Sequence, residues 1–361
     1  MKPLRFCASF LWALTTYQAV WAGPGSDVSE AYSEQEVTIE APTAGIRLAG
    51  TLTVPAGRGP FPAVLLLPGQ GPHTRDQVIS GSPMFRQIGD HLSRQGFAVL
   101  RMDKRGVGRS QGPSLDESTL ADLTQDFRAC HQFLHKQPAV DSRRVSLLGH
   151  SEGAMIGPMI ACKEPGIWSL VLLAPPAVAG GEIWIHQKLG GLRQQGAKPE
   201  VLESVEKEMH RLVQFVKSGT NDDDTYYRIG HDFIKAHRMP EEQITHSLID
   251  KLLSDLRTKS CRDFFSYNPA EALRELRTPT LAILSSADDQ VTVKQNLVPL
   301  AAALASAKNP DFTISVLPEQ DHYFLVFEGH RLKRHNFGKM KVAPVLLDTV
   351  TTWLRRPAPS T

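Results

Sequence analysis

The sequence predicts an α/β protein built on a mostly parallel, doubly wound sheet that carries an inserted helical cap. Short apolar runs, which suit strands buried on both faces, alternate with helix-spaced segments between residues 61 and 174. This alternation favours a parallel sheet that is covered by helices on both faces. Polar, helix-forming sequence without strand runs then occupies residues 178–277, and the alternation resumes after it.

Eight strands are expected, with the cap between the sixth and the seventh. Two β-rich runs around a Pro-Thr-Ala-Gly turn predict an opening hairpin, at 36–41 and 46–54. Six apolar runs predict the other strands, at 61–67, 97–102, 145–148, 168–174, 279–285 and 312–317. The clearest helix patterns cover 85–95, 118–136, 199–216, 241–256, 293–305 and 342–355. No Gly-x-Gly-x-x-Gly follows the first strand, so a dinucleotide-binding sheet is not predicted.

The N-terminal segment has the features of a secretory signal peptide. Lys2 and Arg5 precede a largely apolar stretch, and Val20-Trp21-Ala22 offers small residues at the outer cleavage positions. We therefore expect cleavage near Ala22 and an exported protein, periplasmic or extracellular. The apolar stretch is too short to span a bilayer, and no other run approaches the roughly 18 apolar residues of a spanning helix, so no stable membrane span is expected.

These patterns divide the chain into five parts. We assign, in order, a signal peptide (1–22), a linker (23–35), the first part of the core (36–177), the helical cap (178–277) and the second part of the core (278–361). Without residues 1–22 the chain has about 339 residues, which exceeds a usual single core, so either two domains or one domain with a large insertion is expected.

Charge and cysteine usage exclude several classes of protein. Without residues 1–22, the 40 basic and 38 acidic residues become 38 of each, and this balance argues against nucleic acid or an anionic membrane as the main partner. Three cysteines remain, Cys130, Cys162 and Cys261, so at most one disulfide can form, and their spacing fits no zinc site. Neither a metal nor an organic cofactor is implied, and the oligomeric state stays open.

A Gly-x-Ser-x-Gly pentapeptide, residues 149–153, follows the apolar run 145–148 and precedes an apolar, helix-compatible segment. A serine on a sharp strand-to-helix turn is crowded from both sides, which is why Gly149 and Gly153 flank it. Ser151 is therefore the candidate nucleophile. A serine hydroxyl attacks an acyl group only when a base lies within hydrogen-bond reach and a third group orients that base.

Candidates for the base and the acid follow the last two strands. His322 lies just after the eighth strand, and Asp288 and Asp289 lie just after the seventh. In a doubly wound sheet these loops gather at the carboxyl edge, next to the Ser151 turn. The order Ser, Asp, His is the one found in α/β-hydrolases. Three other histidines are less suitable as the base because of their positions: His73, His91 and His150.

The tetrahedral intermediate of acyl transfer needs donors that point at its oxyanion. The residue after the nucleophile supplies one backbone N–H, which here belongs to Glu152, and a loop after the third strand supplies the other. Gln70, in the Pro-Gly-Gln-Gly-Pro segment 68–72, is placed for this role. A simple tight turn is the alternative interpretation of that segment.

Three segments together resemble the secreted bacterial α/β-hydrolases of the serine esterase and serine aminopeptidase type. They are Leu65-Leu66-Leu67-Pro68-Gly69-Gln70-Gly71-Pro72 with Arg75-Asp76, Leu100-Arg101-Met102-Asp103-Lys104-Arg105-Gly106-Val107-Gly108-Arg109-Ser110, and Gly149-His150-Ser151-Glu152-Gly153. The resemblance implies an α/β-hydrolase fold with Ser151, Asp288 and His322 as the triad and Gln70 and Glu152 as oxyanion donors. Asp288 is preferred to Asp289 because it stands three residues before Val291, as the family acid stands before its valine.

The chain departs from the family pattern at four positions. The family commonly has an acid where Thr74 stands, a glycine where Ala154 stands, an aspartate where Lys104 stands and an asparagine where Asp321 stands. None of these departures removes a catalytic atom, but Thr74 and Asp321 are expected near the pocket and bear on substrate preference.

The sequence thus predicts a serine hydrolase that cleaves carboxylic esters through an acyl-enzyme, acting on a small-molecule ester or a short peptide. A peptidase or aminopeptidase could use the same triad, and the Glu152 carboxylate beside the nucleophile could then bind a substrate amine. An acyltransferase differs only in the nucleophile that resolves the acyl-enzyme. A catalytically silent binding protein with the same fold is the remaining alternative.

Overall fold

The computed structural model of the chain describes residues 31–43, 45–307, 309, 311–326 and 340–357. The signal peptide and residues 23–30 of the linker lie outside the described residues, so export remains a prediction of the sequence. Within the described ranges, no helix is long and apolar enough to cross a membrane.

Eight strands form one sheet, and this confirms the expected fold class. They are β1 (Tyr32–Glu40), β2 (Arg47–Pro55), β3 (Phe61–Leu67), β4 (Ala98–Met102), β5 (Val140–His150), β6 (Ile167–Leu173), β7 (Thr280–Ser285) and β8 (Phe312–Leu317). The spatial order is β1-β2-β4-β3-β5-β6-β7-β8. Strand β2 runs antiparallel to β1 and β4, and the remaining neighbours pair in parallel. The carboxyl ends of β3 to β8 therefore meet at one edge of the sheet.

Eleven α-helices lie in the described ranges. They are α1 (Met84–Arg94), α2 (Leu120–His135), α3 (Glu152–Ala161), α4 (Gly180–Gln194), α5 (Pro199–Ser218), α6 (Asp223–Ala236), α7 (His246–Leu253), α8 (Lys259–Ser266), α9 (Pro269–Glu275), α10 (Val293–Ser306) and α11 (Pro344–Leu354). Helices α2, α3, α9 and α10 share a buried apolar cluster with one face of the sheet, and α1 and α11 share another with the opposite face. The sheet is thus covered on both sides, as continuous apolar strands require.

Helices α4 to α8 form a third apolar cluster within residues 178–277. Three of its aromatic side chains are almost fully buried there: Tyr226, Phe233 and Phe265. Helix α4 also contacts the loop after β7, because Gln187 Nε2 donates to Gln290 O at 3.3 Å. The cap therefore has a core of its own and rests on the loop that carries Asp288.

Three element boundaries differ by several residues from the expected ones. Strand β5 begins at Val140 rather than at Val145. Strand β1 begins at Tyr32, so residues 32–35, which the sequence pattern assigned to the linker, belong to the sheet. The Tyr32 hydroxyl donates to Asp90 on α1 at 2.8 Å, a tertiary contact that no local pattern indicates. The helix expected over 241–256 is broken, because the Thr245 side chain accepts from the N–H of Leu248 and starts α7 at His246.

A buried histidine on α2 predicts a loss of stability in acid. Burial, with the neighbouring His135 as a second cause, lowers the pKa of His131 to about 4. The unfolded chain takes up this proton near pH 6.5 and the folded chain only near pH 4, so folding stability falls as the pH drops through that interval. Replacing His131→Asn should reduce the loss of unfolding free energy between neutral pH and pH 4.5 by about 2–3 kcal/mol.

The measurement is chemical denaturation at both pH values, with His210→Asn as the matched control. His210 lies on α5 with an exposed side chain, so its replacement should leave the wild-type pH dependence in place. An unchanged pH dependence in His131→Asn would contradict the assignment of this acid sensitivity to His131.

Candidate active site

Ser151 lies at the turn between β5 and α3. Its backbone has φ 54° and ψ −112°, a left-handed conformation that is rare for a residue with a side chain. Its N–H donates to Leu173 O at 2.9 Å, which anchors the turn on the neighbouring strand β6. The Ser151 side chain makes no capping hydrogen bond to α3. The first N–H groups of that helix, which carry partial positive charge, are therefore not bonded to the Ser151 hydroxyl.

The two glycines of the pentapeptide are required by close backbone contacts. A Cβ atom on Gly149 would clash with Gly153 O, and a Cβ atom on Gly153 would clash with Leu67 O. The turn therefore fits tightly between its own helix and the end of β3, which is the packing that a strained strand-to-helix turn demands.

Asp288 and His322 meet at the same edge of the sheet. His322 Nδ1 lies 2.8 Å from Asp288 Oδ2, and both residues are about 4% exposed. Asp288 Oδ1 accepts the N–H groups of Gln290 and Val291, each at 2.8 Å, so its second oxygen is left to face the imidazole. A carboxylate can only accept, so His322 Nδ1 donates and Nε2 is the nitrogen that can take a proton.

Asp289, the alternative acid, lies elsewhere. Its side chain is exposed, and its Oδ2 accepts from Gln194 Nε2 on α4 at 3.4 Å. The structure thus places Asp288, rather than Asp289, beside the imidazole. The catalytic roles of both residues stay a prediction.

His150 joins the nucleophile turn to the His322 loop. His150 Nε2 lies 2.9 Å from His322 O, and the centroids of the two imidazole rings are 4.8 Å apart. Gln77 Nε2 lies 2.9 Å from His150 Nδ1, and Gln77 Oε1 accepts the N–H of Gly69. This fixes the tautomer, because Nδ1 must accept and Nε2 must then donate to the carbonyl of His322. Burial lowers the pKa of His150 well below its usual range, so the ring stays neutral.

The other two histidines occupy different surroundings. Burial, with the charge of Lys104 as a second cause, lowers the pKa of His73 to about 4, and this side chain bonds to the backbone of Gln70. His91 lies on α1, where its Nε2 is 2.9 Å from the hydroxyl of Thr351 on α11. Of the four histidines that the sequence singled out, His322 is the one that faces Asp288.

The segment that carries Gln70 is held on both sides of Gly69. The Gly69 N–H donates to Gln77 Oε1 at 2.9 Å, and the Gly69 carbonyl accepts from Lys104 Nζ at 3.0 Å. The same ammonium donates to Glu152 Oε2 at 2.6 Å, and Lys104 and Glu152 are 2% and 6% exposed. Lys104 and Glu152 thus form a buried ion pair, in which the charge of the Glu152 carboxylate already has a partner inside the protein.

The chain is similar in sequence and fold to several known proteins. The family model described as serine aminopeptidase, S33, matches residues 72–241. The esterase EstD of Thermotoga maritima is 28% identical over 330 residues, which cover 90% of this chain and 68% of EstD. A solved esterase of Pyrococcus furiosus matches with a TM-score of 0.58 at 16% identity, over 94% of this chain and 96% of its own. The chain has the α/β-hydrolase fold.

One further structural neighbour of this chain is a peptidase. The dipeptidyl peptidase 4 of Porphyromonas gingivalis matches with a TM-score of 0.53 at 16% identity, over 90% of this chain but 35% of its own. At such identities the likeness shows the shared fold.

Two residues that contact the site could not be found by pattern. In the sequence, Lys104 stands out only as a departure from the family motif, and no pattern marks Gln77. Both act through hydrogen bonds to Gly69, with Lys104 lying 35 residues and Gln77 lying 8 residues away in the chain. The Lys104–Glu152 pair could be predicted only if both residues were known to be buried. Their burial depends on the fold and is not visible in the sequence.

Proposed function

We propose that this α/β-hydrolase cleaves carboxylic esters through an acyl-enzyme formed on Ser151. Support comes from the 2.8 Å contact between His322 and Asp288 at the carboxyl edge of the sheet, next to the strained Ser151 turn. Support also comes from two relatives named as esterases, in Thermotoga maritima and Pyrococcus furiosus. The contact carries the proposal, because a buried carboxylate that orients an imidazole is what a serine nucleophile needs.

The reaction then proceeds in two steps. Ser151 Oγ attacks the ester carbonyl carbon while His322 Nε2 takes the hydroxyl proton, and the N–H groups of Gln70 and Glu152 bind the negative oxygen. His322 returns the proton to the leaving alcohol, and an acyl-serine remains. Water then attacks with its proton passing to His322, the carboxylic acid leaves, and the Ser151 hydroxyl is restored. Asp288 holds the imidazole in the required tautomer throughout.

A peptidase is the second candidate, since the matching family model is described as a serine aminopeptidase. One argument for it weakens in the structure, because the ion pair with Lys104 occupies the Glu152 carboxylate. An acyltransferase on the same triad also stays open, and it would show as transfer of the acyl group to an added alcohol in preference to water.

Substrate comparison and active-site labelling test the proposal together. The purified protein should hydrolyse p-nitrophenyl acetate or butyrate faster than aminoacyl p-nitroanilides. It should also react with a fluorophosphonate probe, and the Ser151→Ala variant should not. Faster turnover of the anilides would favour the peptidase, and a folded wild type that neither labels nor turns over either substrate would favour a silent binding protein.

A further inference from the structure

Lys104 is a buried lysine that the proposed chemistry does not use. It lies in the loop after β4 and is 2% exposed, which is unusual for this residue type unless its charge is paired. Its ammonium makes two hydrogen bonds, to the Glu152 carboxylate at 2.6 Å and to the Gly69 carbonyl at 3.0 Å. Glu152 is itself an expected oxyanion donor through its backbone N–H, and Gly69 precedes Gln70, the other expected donor.

The bond to Gly69 sets the direction of the Gln70 N–H. In a planar trans peptide, the carbonyl of one residue and the N–H of the next point in opposite directions. The Gly69–Gln70 peptide is not among the cis bonds of the described chain. Because Lys104 holds the Gly69 carbonyl on one side, the N–H of Gln70 must point to the other side, away from the lysine.

The bond to Glu152 joins the second donor to the first. Glu152 is the first residue of α3, and its own N–H is the other expected oxyanion donor. Without Lys104, the segment after β3 and the first turn of α3 would lose this charged link, and the buried Glu152 carboxylate would lose the ammonium that pairs with it. A buried, unpaired carboxylate destabilises the folded protein. The ion pair therefore contributes to stability and also links the two expected oxyanion donors.

We propose that Lys104 is a positioning residue for the oxyanion site, which orients the Gly69–Gln70 peptide and ties it to the start of α3 through Glu152. The proposal rests on the proposed acyl-enzyme function, because an oxyanion site has meaning only for such a reaction. Lys104 touches neither substrate nor the reacting atoms. It acts through two backbone N–H groups whose directions it holds.

Two variants distinguish this positioning role from a purely structural one: the first removes the charge of Lys104, and the second removes the charges of both Lys104 and Glu152. Lys104→Met keeps the stem and deletes both hydrogen bonds, but it leaves the Glu152 carboxylate buried and unpaired. The double variant Lys104→Met/Glu152→Gln also removes that carboxylate charge. If Lys104 only neutralises Glu152, the double variant recovers everything. If Lys104 orients the Gln70 N–H, the double variant recovers stability alone, since the bond to the Gly69 carbonyl is still missing.

The expected result is a selective loss of turnover. With p-nitrophenyl butyrate, kcat of both variants should fall by about 10- to 100-fold, while KM should stay within about threefold of wild type. The loss in kcat is smaller than that expected for complete removal of an oxyanion donor, because the Gln70 N–H is misdirected rather than deleted. Binding of a trifluoromethyl ketone, whose hemiketal oxygen occupies the oxyanion site, should weaken by the same factor as kcat. The melting temperature should fall by about 10 °C in the single variant and recover in the double variant.

Arg128→Met is the matched control. Arg128 Nε donates to Glu164 at 2.7 Å beyond the other end of α3, so its loss removes an ion pair from the same region without contact to Gly69. Its kcat should stay within about threefold of wild type.

Recovery of kcat in the double variant, or a wild-type kcat in Lys104→Met, would overturn the proposal. If Lys104→Met does not fold, the double variant alone decides, by the same kcat criterion. A folded wild type that hydrolyses no ester and does not label would instead refute the proposed function.

Discussion

Asp288→Asn should lower kcat for ester hydrolysis by about 10⁴-fold with little change in stability. The N–H groups of Gln290 and Val291 donate to one oxygen of this side chain, so the oxygen of the new amide stays with them. Its NH₂ group then faces His322 Nδ1, which must become an acceptor. The imidazole proton moves to Nε2, where it blocks the nitrogen that should take the proton of Ser151.

Asp289→Asn is the matched control for this prediction. The two aspartates are adjacent in the chain, but Asp289 is exposed and its carboxylate contacts Gln194 of the cap rather than the imidazole. Its kcat should stay within about threefold of wild type, since the 2.8 Å contact of Asp288 is left intact. Steady-state assays of both variants with p-nitrophenyl butyrate measure the difference. The reverse ranking would show that the acid has been assigned to the wrong residue.

Gly153→Ala should destabilise the protein by about 5 kcal/mol or more, so that little folded protein is recovered. The added methyl group would meet the carbonyls of Leu67 and Pro68, which are backbone atoms at the end of β3 and cannot rotate away as a side chain could. Relief would require α3 to move away from the sheet, and that movement would displace Ser151. Thermal unfolding and fluorophosphonate labelling of the variant measure both consequences.

Gly157→Ala serves as the control in the same helix. A Cβ atom there would find ordinary contacts of 3.6–3.8 Å with the side chains of Leu172, Leu67 and Leu170. Because alanine is also the better helix former, this variant should match or exceed wild-type stability by up to about 1 kcal/mol. Equal melting temperatures for Gly153→Ala and wild type would contradict the tight fit of the turn.

The strands of the core could be predicted because each carries a local signal. A strand that is buried on both faces reads as a short, continuous apolar run, and Phe61–Leu67 and Thr280–Ser285 show such runs clearly. Strand β1 was harder to delimit, because its first residues are polar and Tyr32 is held by Asp90 on a distant helix. Within the cap, local patterns indicated helices but not their breaks, since a single Thr245 cap decides where α7 starts.

The sequence is sufficient to predict the fold class, the nucleophile candidate and the loops from which an acid and a base could come. It could do so because a Gly-x-Ser-x-Gly turn and residues at strand ends are marked by position along the chain. Contacts between side chains from distant segments are visible only in the tertiary structure. It placed Asp288 rather than Asp289 beside His322, and it paired Lys104 with Glu152 and Gly69. These contacts depend on burial and on the packing of distant segments, which no local pattern of residues records.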